Sequence, residues 1–215
     1  MKRNLCIFLV LICTSSIFAK NFTFSIGAGA NYKERSNPQI AVWITDANGK
    51  IEKTLFVTQR ASKKNWIGKP KNGRPESLPV WYYSVNNNDE SLVKDLSHRT
   101  AQNEPLDAIT SATPKGGLYF DADYDFEAGK DYFIYAELNN SFDYNDNFTK
   151  QDSGVNGQPS VVYKAKISAE SKGEVKLEFA GTGSIDGSDG ALHNEESKLT
   201  TAKNIAKLIV VKFND

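Results

Sequence analysis

Apolar and polar residues alternate along much of this chain with the two-residue period of strands that bury one face. Residues 39 to 45 set Ile40, Val42 and Ile44 against Gln39, Ala41 and Trp43. Asp46-Ala-Asn48-Gly49-Lys50 follows, and residues 51 to 58 resume with Leu55 and Val57 assigned to one face. Asn-Gly tolerates positive φ at both positions, so this stretch predicts a hairpin. Tyr132, Ile134, Ala136 and Leu138 share one side of another strand. Val161, Tyr163, Ala165 and Ile167 alternate against Lys164 and Lys166. After Ser171-Lys-Gly173, Val175, Leu177 and Phe179 alternate against Lys176 and Glu178, which predicts a second hairpin. Residues 22 to 26 and 208 to 213 read as the opening and closing strands.

Helical signal is confined to residues 76 to 85, 89 to 96 and one or two turns within 199 to 206. Many short strands separated by Gly, Asn and Pro predict an all-β fold. The expected form is an immunoglobulin-like or fibronectin-like β-sandwich with long loops and one or two short helices. Residues 62 to 79, rich in Lys, Gly and Pro, read as a long irregular insertion, a length at which loops are often functional.

The amino terminus departs from this pattern. Lys2 and Arg3 precede an uninterrupted apolar run from Leu5 to Cys13, then Thr14, Ser15 and Ser16, with Ala19 at the expected cut. That order of charge, apolar core and small residue is a secretory signal. The run is too short to span a bilayer, which takes about 20 residues. The expectation is a signal peptide over residues 1–19, one sandwich domain over 20–215, and a periplasmic or secreted product that does not span the membrane. Both cysteines, Cys6 and Cys13, lie inside the signal, so the exported part has neither disulfides nor thiolate chemistry. Removing Lys2 and Arg3 from 26 basic residues leaves 24 against 26 acidic, a net charge of −2. Nothing in that balance points to nucleic acid.

Several segments together resemble one family. They are Ile40-Ala-Val-Trp-Ile-Thr-Asp46 with Gly49, Leu78-Pro-Val-Trp81, Asp107-Ala-Ile-Thr-Ser-Ala-Thr-Pro114 and Gly129-Lys-Asp-Tyr-Phe-Ile-Tyr-Ala-Glu137. Asn139-Asn-Ser-Phe-Asp-Tyr-Asn145, Gly157-Gln-Pro-Ser160, residues 181 to 192 and Leu199-Thr-Thr-Ala202 complete the set. The combination is similar to the predicted periplasmic proteins called domain of unknown function 2271, and the resemblance implies an exported β-rich domain.

Within it, Asp107, Thr110, Ser111, Ala112 and Thr113 form Asp-x-x-Thr-Ser-Ala-Thr, which resembles the acceptor sequence of bacterial FMN transferases. The usual pattern has Gly where this chain has Ser111. The resemblance implies FMN held by a phosphoester on Thr113, with Asp107 and Thr110 as part of the acceptor site. A threonine hydroxyl is a weak nucleophile, so the transferase must supply base and metal. Pro114 biases Thr113 toward an extended backbone, which presents its hydroxyl. The partners implied are the FMN transferase and a membrane redox protein.

Other acids are candidates for oxygen-ligated calcium. Asp186 and Asp189, among Gly187, Gly190 and His193, are the candidate metal ligands, and the same residues suit ordinary hairpin-loop chemistry. Asp143, Asn145, Asp146 and Asn147 form a similar cluster. Asp121, Asp123 and Asp125 read as the solvated face of a strand. With His98 and His193 the only histidines, a histidine-rich zinc or copper site is excluded. No nucleophile elbow or phosphate-binding loop is present. The leading functional reading is therefore a non-catalytic accessory of an extracytosolic redox or metal-handling system. The alternative is a binding or adhesion module for a protein, peptide or carbohydrate, without cofactor. A hydrolase ranks third.

Overall fold

The computed structural model describes residues 16–32, 38–58, 61, 77–88, 109–111 and 116–214. Among them, ten strands form two sheets. The strands are β1 (Ile17–Ala28), β2 (Gln39–Asp46), β3 (Ile51–Thr58), β4 (Ile109–Ser111) and β5 (Gly117–Glu127), then β6 (Tyr132–Asn139), β7 (Val161–Ile167), β8 (Gly173–Lys176), β9 (Glu178–Thr182) and β10 (Ala206–Phe213). One sheet has the order β5-β1-β10-β8, the other β4-β3-β2-β6-β7-β9. All pairings are antiparallel except β3 with β4. The expected all-β sandwich is the observed architecture.

The alternation seen in the sequence builds its core. Phe22, Phe24 and Ile26 of β1 face Ile40, Val42 and Ile44 of β2 and Ile134, Ala136 and Leu138 of β6, all at most 2 % exposed. Burying each large apolar side chain contributes about 1.5–3 kcal/mol. Phe120 bridges the layers, stacked 5.4 Å from Phe24 and 5.7 Å from Phe56. Asp121, Asp123 and Asp125 lie exposed on the outer face of β5, as the alternation predicts. β1 starts at Ile17, so three of its residues belong to the segment read as signal. Ile17 and Phe18 are 63 % and 48 % exposed, and the core-facing positions begin only at Phe22.

Two strand readings need correction. The β2–β3 hairpin forms, but Leu55 and Val57 do not share a face. The register jumps from Val42↔Phe56 to Trp43↔Thr54, leaving Leu55 as a bulge. Leu55 and Phe56 therefore both enter the inter-sheet core, and Val57 turns to the other side. The second hairpin is not a simple one. Residues 173–176 pair with β10 in one sheet, and residues 178–182 pair with β7 in the other. Leu177, 2 % exposed, is the crossing point, with its N–H donating to the Ile209 carbonyl at 3.0 Å.

Helix α1 (Pro79–Asn88) covers the outer face of the six-stranded sheet. It starts three residues later than the sequence reading because Pro79 takes the first helical position, where a missing N–H costs nothing. Leu78, Val80, Trp81 and Val85 pack on Ala41, Trp43, Val57 and Val162. β2 is consequently buried on both faces. A short helix α2 (Lys150–Ser153) is capped by Thr149 and Asp152, and residues 202–204 form one helical turn within the stretch expected to hold one or two. The proposed helix over 89 to 96 lies outside the described residues.

Candidate functional site

The irregular segments gather at one pole of the sandwich, where β1, β3, β4, β6 and β9 end and β2, β5, β7 and β10 begin. The register fixes this: Gln39 lies opposite Asn139, Thr58 opposite Ser111, and Gly27 opposite Gly117. At its centre Asp143 is 7 % and Gln158 1 % exposed. Asn31 Nδ2 donates to Asp143 Oδ2 at 2.9 Å, and Thr201 Oγ1 lies 2.9 Å from both carboxylate oxygens. Gln158 Nε2 lies 3.2 Å from Asp143 Oδ2 and 2.6 Å from Thr201 Oγ1. The Thr200 N–H donates to Gln158 Oε1 at 2.7 Å. The backbone prepares this cluster: residues 143 and 157 form a bridge, and the Gln158 N–H donates to the Asp143 carbonyl at 2.8 Å. Gly157 permits the approach, with φ of 74° and no side chain to meet the Asp143 backbone.

A second buried acid lies on the outer face of β6. Glu137 is flanked by Ala41 and Val162 and is fully buried. Leu78 stands at the N-cap of α1 and offers no side-chain acceptor, which would leave the first helical N–H groups unpaired. Glu137 takes that part from outside the helix. Its Oε1 accepts from the Val80 N–H at 3.2 Å and its Oε2 from the Trp81 N–H at 2.8 Å. Ser160 Oγ donates to Oε1 at 2.6 Å. Gly183 closes the site: a Cβ there would lie 2.4 Å from both Pro79 Cγ and Ser160 Oγ.

Burial raises the Glu137 pKa from 4.5 to about 7, against the opposing effect of hydrogen bonds from Ser160, Trp81 and Val80. Between these values the folded chain holds a proton that the unfolded chain has lost. Stability from this group is therefore complete below pH 4.5 and declines as pH rises to about 7, by about 3 kcal/mol in all. Asp152, Asp186 and Asp189 have lowered pKa values, each held chiefly by a side-chain hydrogen bond, from Thr149, Ser188 and His193 respectively. They act the other way, losing stability only as pH falls below the ordinary carboxylate range. Urea titrations from pH 5 to 8 are expected to show the midpoint falling in the native chain and a flatter profile in Glu137→Gln.

The residues singled out in the sequence are placed unequally. Thr110 lies in β4, at one edge of the six-stranded sheet among the described residues, opposite Val57. Asp107 and Thr113 lie outside the described residues. Asp186 and Asp189 lie together in the loop after β9. Asp186 Oδ1 accepts from the Ser188 N–H at 3.0 Å, and Asp189 Oδ1 accepts from the Ala191 N–H at 2.8 Å and lies 2.9 Å from His193 Nε2. This loop docks on α1 through the Tyr83 hydroxyl, which donates to the Gly187 carbonyl at 2.9 Å. Among the described residues no three His, Cys, Asp or Glu side chains group to hold a metal ion. No helix among them is long and apolar enough to cross a membrane.

Sequence reasoning did not assign Glu137, Ser160, Gln158 or Thr201 to a site. For Glu137 a signal existed: a lone acid between Ala136 and Leu138 in a strand that is otherwise uncharged. At the pole, Asp143 stands in the polar cluster with Asn145, Asp146 and Asn147, and Gln158 and Thr201 stand in segments of the family resemblance, but residues 31, 143, 158 and 201 meet only through the fold.

One family model matches the chain, over residues 20–129: that of a predicted periplasmic protein, domain of unknown function 2271. The matched span takes in β1 from Lys20 onward and the acceptor-like motif. No curated protein and no solved structure matches.

Proposed function

The chain belongs to the predicted periplasmic proteins of domain of unknown function 2271, and on that premise we propose that it is a non-catalytic accessory of an extracytosolic redox system, carrying FMN covalently on Thr113. The observation that carries this reading is the position of β4 at the edge of its sheet among the described residues. The acceptor-like motif runs through β4, whose parallel pairing with β3 covers one side of its backbone. An edge strand offers its other side to an incoming chain, a recurrent way for one protein to grip another's extended segment. A hydroxyl acceptor has to be gripped in this way, since the modifying enzyme brings the base and the metal.

The step is a phosphoryl transfer. Thr113 Oγ1 attacks the FMN-side phosphorus of FAD, the pyrophosphate P–O bond breaks, AMP leaves, and the hydroxyl proton passes to the transferase base. A tethered flavin is retained where a dissociable one would diffuse away, and the protein's part is to hold and tune it.

Co-expression with an active FMN transferase, followed by intact-mass measurement, tests the reading. The expected product begins at Lys20 and is heavier by one FMN less water, and Thr113→Val abolishes the increase. An unshifted mass beside a modified control acceptor rejects the flavin assignment.

A further inference from the structure

The geometry points to a self-forming ester between the side chains of Thr201 and Gln158. A hydroxyl, a carboxamide, a carboxylate and a backbone donor meet at the pole of the sandwich. Thr201 Oγ1, the nucleophile, lies 2.6 Å from Gln158 Nε2, the atom that leaves. It lies 2.9 Å from Oδ1 and from Oδ2 of Asp143, which is the base. Gln158 Oε1, where negative charge develops, accepts from the Thr200 N–H at 2.7 Å, with the Thr200 hydroxyl at 3.3 Å. Asp143 Oδ2 also lies 3.2 Å from Gln158 Nε2, so one carboxylate reaches both the atom that loses a proton and the atom that gains it.

A threonine hydroxyl and a carboxamide do not react in water. Fixed proximity, an adjacent base and an oriented donor to the developing oxyanion supply what they lack. Asn31 fixes the arrangement by donating to Asp143 Oδ2 at 2.9 Å and to the Thr201 carbonyl at 3.1 Å. Gln158 and Asp143 are shielded from solvent, and Thr201 is exposed, which leaves a path for the departing molecule.

Asp143 takes the hydroxyl proton as Thr201 Oγ1 adds to the Gln158 side-chain carbonyl carbon. The resulting oxyanion faces the Thr200 N–H. Collapse breaks the carbon–nitrogen bond, Asp143 returns the proton to the nitrogen, and ammonia leaves. Nothing is oxidised or reduced, and the chain becomes lighter by one ammonia. The bond ties the segment entering β7 to the turn entering β10, and so joins the two sheets in a chain with no cysteine after Cys13. The inference is independent of the flavin reading.

The test uses protein exported from the full-length gene in cells without an FMN transferase, so that flavin mass cannot intervene. Denaturing mass spectrometry is expected to show the loss of one ammonia. Trypsin should release residues 151–164 joined to residues 199–203, and mild alkali should separate them with Glu at position 158. Thr201→Val should restore the full mass, and Thr201→Ser should still cross-link. The inference is overturned if the folded native protein keeps its full mass. It is equally overturned if ammonia is lost while the two peptides remain separate, which would mark a succinimide at Asn156-Gly157.

Discussion

Glu137→Ala is expected to lower the unfolding free energy by about 3–5 kcal/mol, chiefly through the buried donors it leaves unpaired. Three donors lose their acceptor at once: the Val80 and Trp81 N–H groups and the Ser160 hydroxyl. Each buried donor left unpaired costs about 1–3 kcal/mol, and the vacated volume adds a cavity term. Part of this is offset because a desolvated acid is removed with them. The damage falls first on α1. Trp81, 4 % exposed and bonded to Thr54 Oγ1 through its Nε1, loses the acceptor of its own backbone N–H. Urea unfolding followed by tryptophan emission measures the effect. Glu137→Gln keeps the shape and an oxygen for Val80 and Ser160 but sets its NH2 against the Trp81 N–H, and about 1–3 kcal/mol is expected for it.

Gly157→Ala should produce the second large loss, about 3 kcal/mol or more. At φ of 74° an added Cβ would lie 2.4 Å from the Asp143 nitrogen and 2.5 Å from its carbonyl carbon and oxygen. Backbone atoms cannot move aside as a flexible side chain would, so the bridge between residues 143 and 157 must open and carry Gln158 away from Asp143. The left-handed conformation itself accounts for only about 1–2 kcal/mol. Gly49→Ala separates the two contributions: φ there is 84°, and nothing lies within 4 Å of the added carbon. Thermal or urea denaturation of both variants should show the small conformational cost alone at position 49.

These effects divide along the line between what the sequence displays and what it conceals. The alternation of Ile40, Val42 and Ile44 and the Asp46-to-Lys50 turn were sufficient for the first hairpin, since both are local. The same two-residue period runs through Val175, Leu177 and Phe179, yet the chain changes sheets at Leu177. Periodicity reports which side of a strand is apolar and says nothing of which neighbour it joins. The bulge at Leu55 is invisible for a related reason: one inserted residue reverses the faces that follow. Trp43 and Ala41 stand opposite the apolar face in the alternation, and α1, which buries them, is distant in sequence. Glu137 is the acid that this burial makes costly. The cluster of Asn31, Asp143, Gln158 and Thr201 is assembled from four separate segments, and no local motif announces it.

The measurement that bears most directly on the functional account is the fragmentation spectrum of the tryptic peptide covering residues 100–115, from protein isolated out of its native envelope. The account predicts one flavin phosphoester on Thr113, with Thr100, Thr110 and Ser111 unmodified. The peptide recovered wholly without flavin, or with flavin on another residue, would contradict it.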